Sequence, residues 1–170
     1  MNRIGNSLFC LGENERIVEA LICWKAEFLV VGGLAVAWHC LERTADDMDL
    51  LVRPTLENSR RIASALSSIG LRDIDDQSFA RTSVQLQLKT IYYADILTPL
   101  PDGETFDEMR LEAVPAQLFQ HRVLVASISS MLRMKSLAMQ SDPGAGKHSV
   151  DIELLLRAQA RQLHVGSPPQ

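Results

Sequence analysis

Apolar and polar positions recur with two different periods along the 170-residue chain, and the changes of period mark its elements. Ile17, Ala20, Leu21 and Trp24 fall at helical spacing and predict an amphipathic helix over 13–26, with both Trp24 and Trp38 on apolar helix faces. Phe28 to Val31 is a short apolar run ended by Gly32-Gly33, the pattern of a buried strand, and 34–41 reads as a short apolar helix. A second strand is expected over 47–53, stopped by Pro54-Thr55. Thr55 then caps a helix over 56–68 that Gly70 closes. Residues 71–75 read as an edge strand. From Thr82 to Lys89, Val84, Leu86 and Leu88 alternate with Gln85, Gln87 and Lys89, the period of a half-buried strand. Ile91 to Leu97 reads as the next strand, 99–107 as a loop, and 110–114 and 122–126 as two further strands. Ser127 or Ser129 caps a helix to about 140. A flexible turn over 141–146 leads to a last helix over 149–162. The order predicts an α+β protein: a mixed sheet with flanking helices and a helical C-terminus. The expected division is a core over 1–126, a helical segment over 127–165 packed on the same unit, and a disordered tail over 166–170.

Composition narrows the class. Hydrophobic residues make up 46% and charged residues 22%, which suits a globular core and excludes a disordered chain. The longest apolar run, Phe28 to Trp38, is interrupted by glycines and too short for a bilayer, so no membrane partner is expected. Cys10, Cys23 and Cys40 are odd in number and far apart. A disulfide framework or zinc site is therefore not expected, and the cytoplasm is the expected location. The net charge of -4 argues against indiscriminate nucleic-acid binding. The C-terminal third is mildly basic, which permits a phosphate-bearing partner but equally suits a solvated helix surface.

Candidate chemistry concentrates between Val30 and Val52. Asp47 and Asp49 are two residues apart on an expected strand, so both carboxylates leave one face; Met48 and Leu51 are assigned to the opposite, buried face. Paired hard oxygen ligands suit Mg²⁺, and two such ions can position and polarise the oxygens of a phosphoryl or nucleotidyl transfer. A third carboxylate would complete that site. Asp95 interrupts an apolar strand, where a carboxylate is costly without a partner, and is the best candidate. Gly32 and Gly33 sit at a strand-to-helix junction, where bare backbone amides can meet phosphate oxygens; a tight turn alone would also use them. Gly144 to Ser149 hints at a phosphate loop but lacks its first glycine and the hydroxyl after Lys147. His39-Cys40 lacks ligand spacing and reads as structural. The extra acid Asp46 is expected to point away from the metals.

The run Val30-Val31-Gly32-Gly33-Leu34-Ala35-Val36-Ala37-Trp38-His39, then Arg43 and Asp47-Met48-Asp49-Leu50-Leu51-Val52, resembles the minimal nucleotidyltransferases. Within them it is most similar to the AbiEii and MenT toxin-type branch. Leu132-Arg133-Met134-Lys135 and Gly146 to Leu155 resemble that branch's helical segment, so the likeness spans 28 to about 157. The resemblance implies a polymerase-beta-like nucleotidyltransferase fold and a two-ion Mg²⁺ site, with Mn²⁺ as a substitute. By it, Asp47, Asp49 and Asp95 are metal carboxylates and catalytic residues, and Gly32 and Gly33 face the triphosphate. Lys135 would neutralise phosphate charge, and Asp151 would orient that lysine or contact the nucleotide. The implied partners are a nucleoside triphosphate, an RNA or protein hydroxyl as acceptor, and a cognate antitoxin. Two departures leave substrate preference open: Asp46 before the motif, and His148 where an Asp is common. The alternative is a catalytically silent nucleotide-binding or antitoxin-interacting module on the same fold.

Overall fold

The computed structural model describes residues 2–4, 7–9, 13–88, 91–141 and 146–165. The expected tail and most of the expected turn over 141–146 lie outside these residues. In chain order the elements are β1 (Asn2–Ile4), β2 (Ser7–Phe9), α1 (Asn14–Cys23), β3 (Phe28–Val31), α2 (Gly32–His39), β4 (Met48–Val52) and α3 (Leu56–Ser68). They continue with β5 (Gln85–Leu88), β6 (Ala94–Leu97), α4 (Phe106–Glu112), β7 (Val114–Leu118), β8 (His121–Val125), α5 (Ile128–Ser141) and α6 (Gly146–Val165).

The strands form one mixed sheet in the order β1-β2-β7-β8-β3-β4-β6-β5. At its centre β3 runs antiparallel to β4 and parallel to β8, while β4 runs parallel to β6. Strand β5 closes the edge, antiparallel to β6. Val30, Val31, Met48, Leu50, Val52 and Ile96 are buried and tie the central strands to the helices. Burial of such side chains is the main favourable term in folding, roughly 1.5–3 kcal/mol each. Helix α1 packs on α3, and α2 packs on both α5 and α6. The helical C-terminus thus lies against the helix that begins at the glycine pair. No described helix is long and apolar enough to cross a membrane.

Local signals placed several elements as expected. The Thr55 hydroxyl accepts from the Asn58 amide at the start of α3, and Gly70, at φ +91°, lies just past its end. Of the two candidate caps for α5, Ser127 does the capping: its Oγ accepts from the Ser130 N–H at 3.0 Å. His39 Nε2 donates to the Ala126 carbonyl oxygen at 2.8 Å, and Cys40 is buried; both are structural.

Other expectations are corrected. Residues 71–75 form no strand. The expected loop holds over 99–105, but its last two residues and most of the expected strand at 110–114 belong to α4, set by a full capping box between Thr105 and Glu108, which buries Phe106 and Met109. The chain turns extended at Ala113, and β7 begins at Val114, where it pairs with β8. The strands β1 and β2 were not expected. At three residues each they carry no readable period, and β2 exists through its parallel pairing with β7. Trp24 is not core: it follows α1 and is 45% exposed, whereas Trp38 packs against the core.

Candidate active site

Strand β3 ends at Val31, and Gly32 turns the chain directly into α2 with φ +65°, a conformation that favours glycine. The antiparallel register sets Val31 opposite Asp49. The Asp49 carboxylate consequently lies over Gly32: a Cβ there would be 1.7 Å from Asp49 Oδ2. Gly32 therefore makes room for an acid as well as making a turn. The backbone of Gly33 hydrogen-bonds to Asp49.

On the other side of β4, the parallel register places Asp95 beside Asp49. Asp95 is 3% exposed, and its Oδ2 accepts from the side-chain amide of Gln85 at 2.8 Å. Asp47 lies in the bend one residue before β4 rather than on the strand, close enough to act on Asp49 electrostatically. Burial pushes the Asp49 carboxyl up to about 6. Asp47 and Asp95 push the same way, and Lys135 and the Gly33 hydrogen bond pull against them.

Lys135, on α5, is 9% exposed and pairs with Asp151 on α6 at 2.7 Å. The other Asp151 oxygen accepts from Arg43 Nε, also at 2.7 Å. Burial raises the Asp151 carboxyl, but Arg43 and Lys135 outweigh it and hold the group below the ordinary carboxylate range. Asp151 thus orients two cations at once. Gly33, Arg43, Asp46, Asp47, Asp49, Asp95, Lys135, His148, Val150 and Asp151 line one cavity of about 610 Å³.

The structure brings Gly33, Asp47, Asp49, Asp95, Lys135 and Asp151 to that cavity, with Gly32 beneath Asp49. Asp46, expected to turn away, lines it too. Leu51, expected on the opposite face, lies on the Asp49 face, because alternation separates both from Met48, Leu50 and Val52. Two polar residues went unassigned in the sequence. Arg43 stands within the motif, but its partner is far along the chain. Gln85 is one of two glutamines on an alternating strand; the register sets Gln87 opposite Asp95, yet it is Gln85, opposite Leu97, whose side chain donates to that carboxylate.

Among the described residues, no group of three or more His, Cys, Asp or Glu side chains is placed to hold a metal ion. The chemistry of the donor set nevertheless fits a hard divalent cation. Asp47, Asp49 and Asp95 are hard oxygen donors, and the Asp49 carboxyl is raised first by burial and then by its two acidic neighbours, a cost that a bound cation would offset.

The fold is that of the nucleotidyltransferases. A solved structure of ANT(2'')-Ia in complex with adenylyl-2''-tobramycin is similar with a TM-score of 0.57, at 14% identity, over 89% of this chain and 90% of that one. An antigenic nucleotidyltransferase-like protein from Paracoccidioides brasiliensis has a TM-score of 0.48, at 14% identity, over 87% of this chain and 77% of that one. No protein-family model and no curated protein matches the chain.

Proposed function

We propose that the protein is a Mg²⁺-dependent nucleotidyltransferase acting from a nucleoside triphosphate onto a hydroxyl. The observation that carries this reading is the meeting of Asp47, Asp49 and Asp95 in one cavity with the Lys135–Asp151 pair, at the glycine-formed start of α2. Asp47, Asp49 and Asp95 would hold Mg²⁺, which supplies charge neutralisation at the triphosphate when bound. Lys135, held by Asp151, is placed to meet phosphate oxygens. The acceptor hydroxyl oxygen bonds to the α-phosphorus, the bond to the β,γ-pyrophosphate breaks, and the hydroxyl proton passes to Asp95. Gln85 holds one oxygen of Asp95 and so orients the other.

The toxin-type resemblance favours an RNA 3′ end, such as that of tRNA, or a protein hydroxyl as acceptor, cytoplasmic action and a cognate antitoxin. A second reading is favoured by the fold shared with ANT(2'')-Ia over most of both chains: transfer to a small hydroxyl compound, as its adenylyl-2''-tobramycin complex illustrates. The test incubates the protein with each α-labelled triphosphate, Mg²⁺, total RNA, cell protein and tobramycin, beside the Asp47→Ala/Asp49→Ala variant. Label in one acceptor fraction, absent with the variant, is expected. Equal labelling by the variant, or none by the native protein, overturns the reading.

A further inference from the structure

A second, larger cavity of about 800 Å³ lies beyond the carboxylates. Two steps along β4 from Asp49 is Leu51, and two steps along β6 from Asp95 is Leu97; each pair shares a face of the sheet, roughly 6.6 Å apart. Leu51 and Leu97 form the floor of this second cavity, and Met109, Met134 and Leu137 complete its apolar wall. Gln85 belongs to both places: it lines the larger cavity and donates to Asp95 in the smaller one. Helix α5 spans both, with Lys135 in one and Ser136 in the other.

The rim is predominantly acidic. Asp102, Glu104 and Glu108 stand on it with Arg133 as their single cationic counterpart, and Arg133 is already paired with Glu104 at 2.5 Å and with Glu112 at 2.8 Å. Such a rim repels a polyanion and attracts a cation. An apolar floor with a few convergent polar groups is the ordinary make-up of a small-molecule site.

We infer that this cavity is the acceptor subsite, and that it takes a small hydroxyl compound with an apolar body and an ammonium group. The apolar body rests on Leu51 and Leu97, the ammonium meets the acidic rim, and the hydroxyl reaches past Gln85 to Asp95. The inference rests on the nucleotidyl-transfer reading and chooses among its acceptors; it disfavours an RNA strand in this cavity.

Three matched probes test it by NMR titration of the full chain without nucleotide: phenylalaninol as the cation, 3-phenylpropan-1-ol as the neutral analogue and 3-phenyllactate as the anion. Phenylalaninol is expected to shift the signals of Leu97, Met134 and Leu137 and to bind at least about tenfold more tightly than 3-phenyllactate, with the neutral probe between them. That preference should shrink as salt rises. Ser136→Trp, at an exposed helix position, should block all three probes, and Asp102→Lys, in an exposed loop, should erase the preference for the cation. Equal affinities for cation and anion, shifts mapping elsewhere, or no binding by any probe would overturn the inference. A separate titration with ATP and Mg²⁺ reads the carboxylate cavity. If ATP fails to bind while phenylalaninol binds, the amine site stands and its role as acceptor subsite falls.

Discussion

The carboxylate of Asp49 occupies the space that a side chain on Gly32 would need, with Oδ2 only 1.7 Å from where that Cβ would lie. The glycine pair and the Asp-x-Asp pair, separate signals along the chain, are two halves of one contact. Gly32→Ala must therefore displace Asp49 and also strain a backbone at φ +65°. It is expected to cost roughly 2–4 kcal/mol of stability and to remove nucleotidyl transfer. Gly33→Ala should be milder, since a Cβ there meets Ala45 and Arg43 at 3.4 Å. Thermal denaturation of the two variants checks the order; equal melting temperatures would contradict it.

Asp49 also sets a pH dependence. Its carboxyl is raised from 3.8 to about 6 in the folded protein, so the folded state binds this proton more tightly than the unfolded one. The associated stability is present below about pH 4 and is lost as pH rises through 6. Metal-free Asp49→Asn should accordingly be more stable than the native protein at pH 8, by up to roughly 3 kcal/mol. Mg²⁺ should raise the native melting temperature at pH 8 and much less at pH 5, and transfer should decline as pH falls through 6. An equal Mg²⁺ effect at both pH values, measured calorimetrically, would count against a metal role for Asp49.

Asp151 stands between two cations, at 1% side-chain exposure, with Lys135 at 11% and Arg43 at 26%. Removing one partner from a buried pair leaves the other charge uncompensated. Asp151→Ala should cost about 3–5 kcal/mol at pH 7. Its lowered carboxyl contributes stability above the ordinary carboxylate range, lost as pH falls through the depressed folded value. The double variant Asp151→Leu/Lys135→Met should recover part of the stability but none of the transfer activity. Recovery of both would reduce the pair to a structural role.

Gln85 and Asp95 divide a task. Asp95→Asn should lower kcat about 10²–10⁴-fold, as loss of a general base does. Gln85→Leu leaves the carboxylate in place but unoriented. It should lower kcat roughly 10–100-fold with little change in the KM for the triphosphate, and Gln85→Asn should restore part of the loss. Steady-state kinetics separates the two. A Gln85→Leu effect confined to stability would show that the amide merely fills space.

The sequence by itself determined what depends on neighbours a few residues away. Two periods, the Thr55 cap and the Gly32-Gly33 break placed β3, β4 and α3, and the Asp47/Asp49 spacing singled out two acids that line one cavity, although Asp47 lies just before β4 rather than on it. Where local signals conflicted, it misled. The loop signs from Pro99 to Asp107 concealed the Thr105–Glu108 capping box, and the three-residue strands β1 and β2 had no period to read. Only the tertiary structure decided which acids meet. Asp95 reaches Asp49 through the parallel register of β4 and β6, Arg43 and Lys135 converge on Asp151 because α5 and α6 pack on α2, and Gln85 is singled out by a bond across the β5–β6 pair. Those relations arise from pairing and packing between distant segments, and local periodicity carries no record of which distant segment a strand or helix will meet.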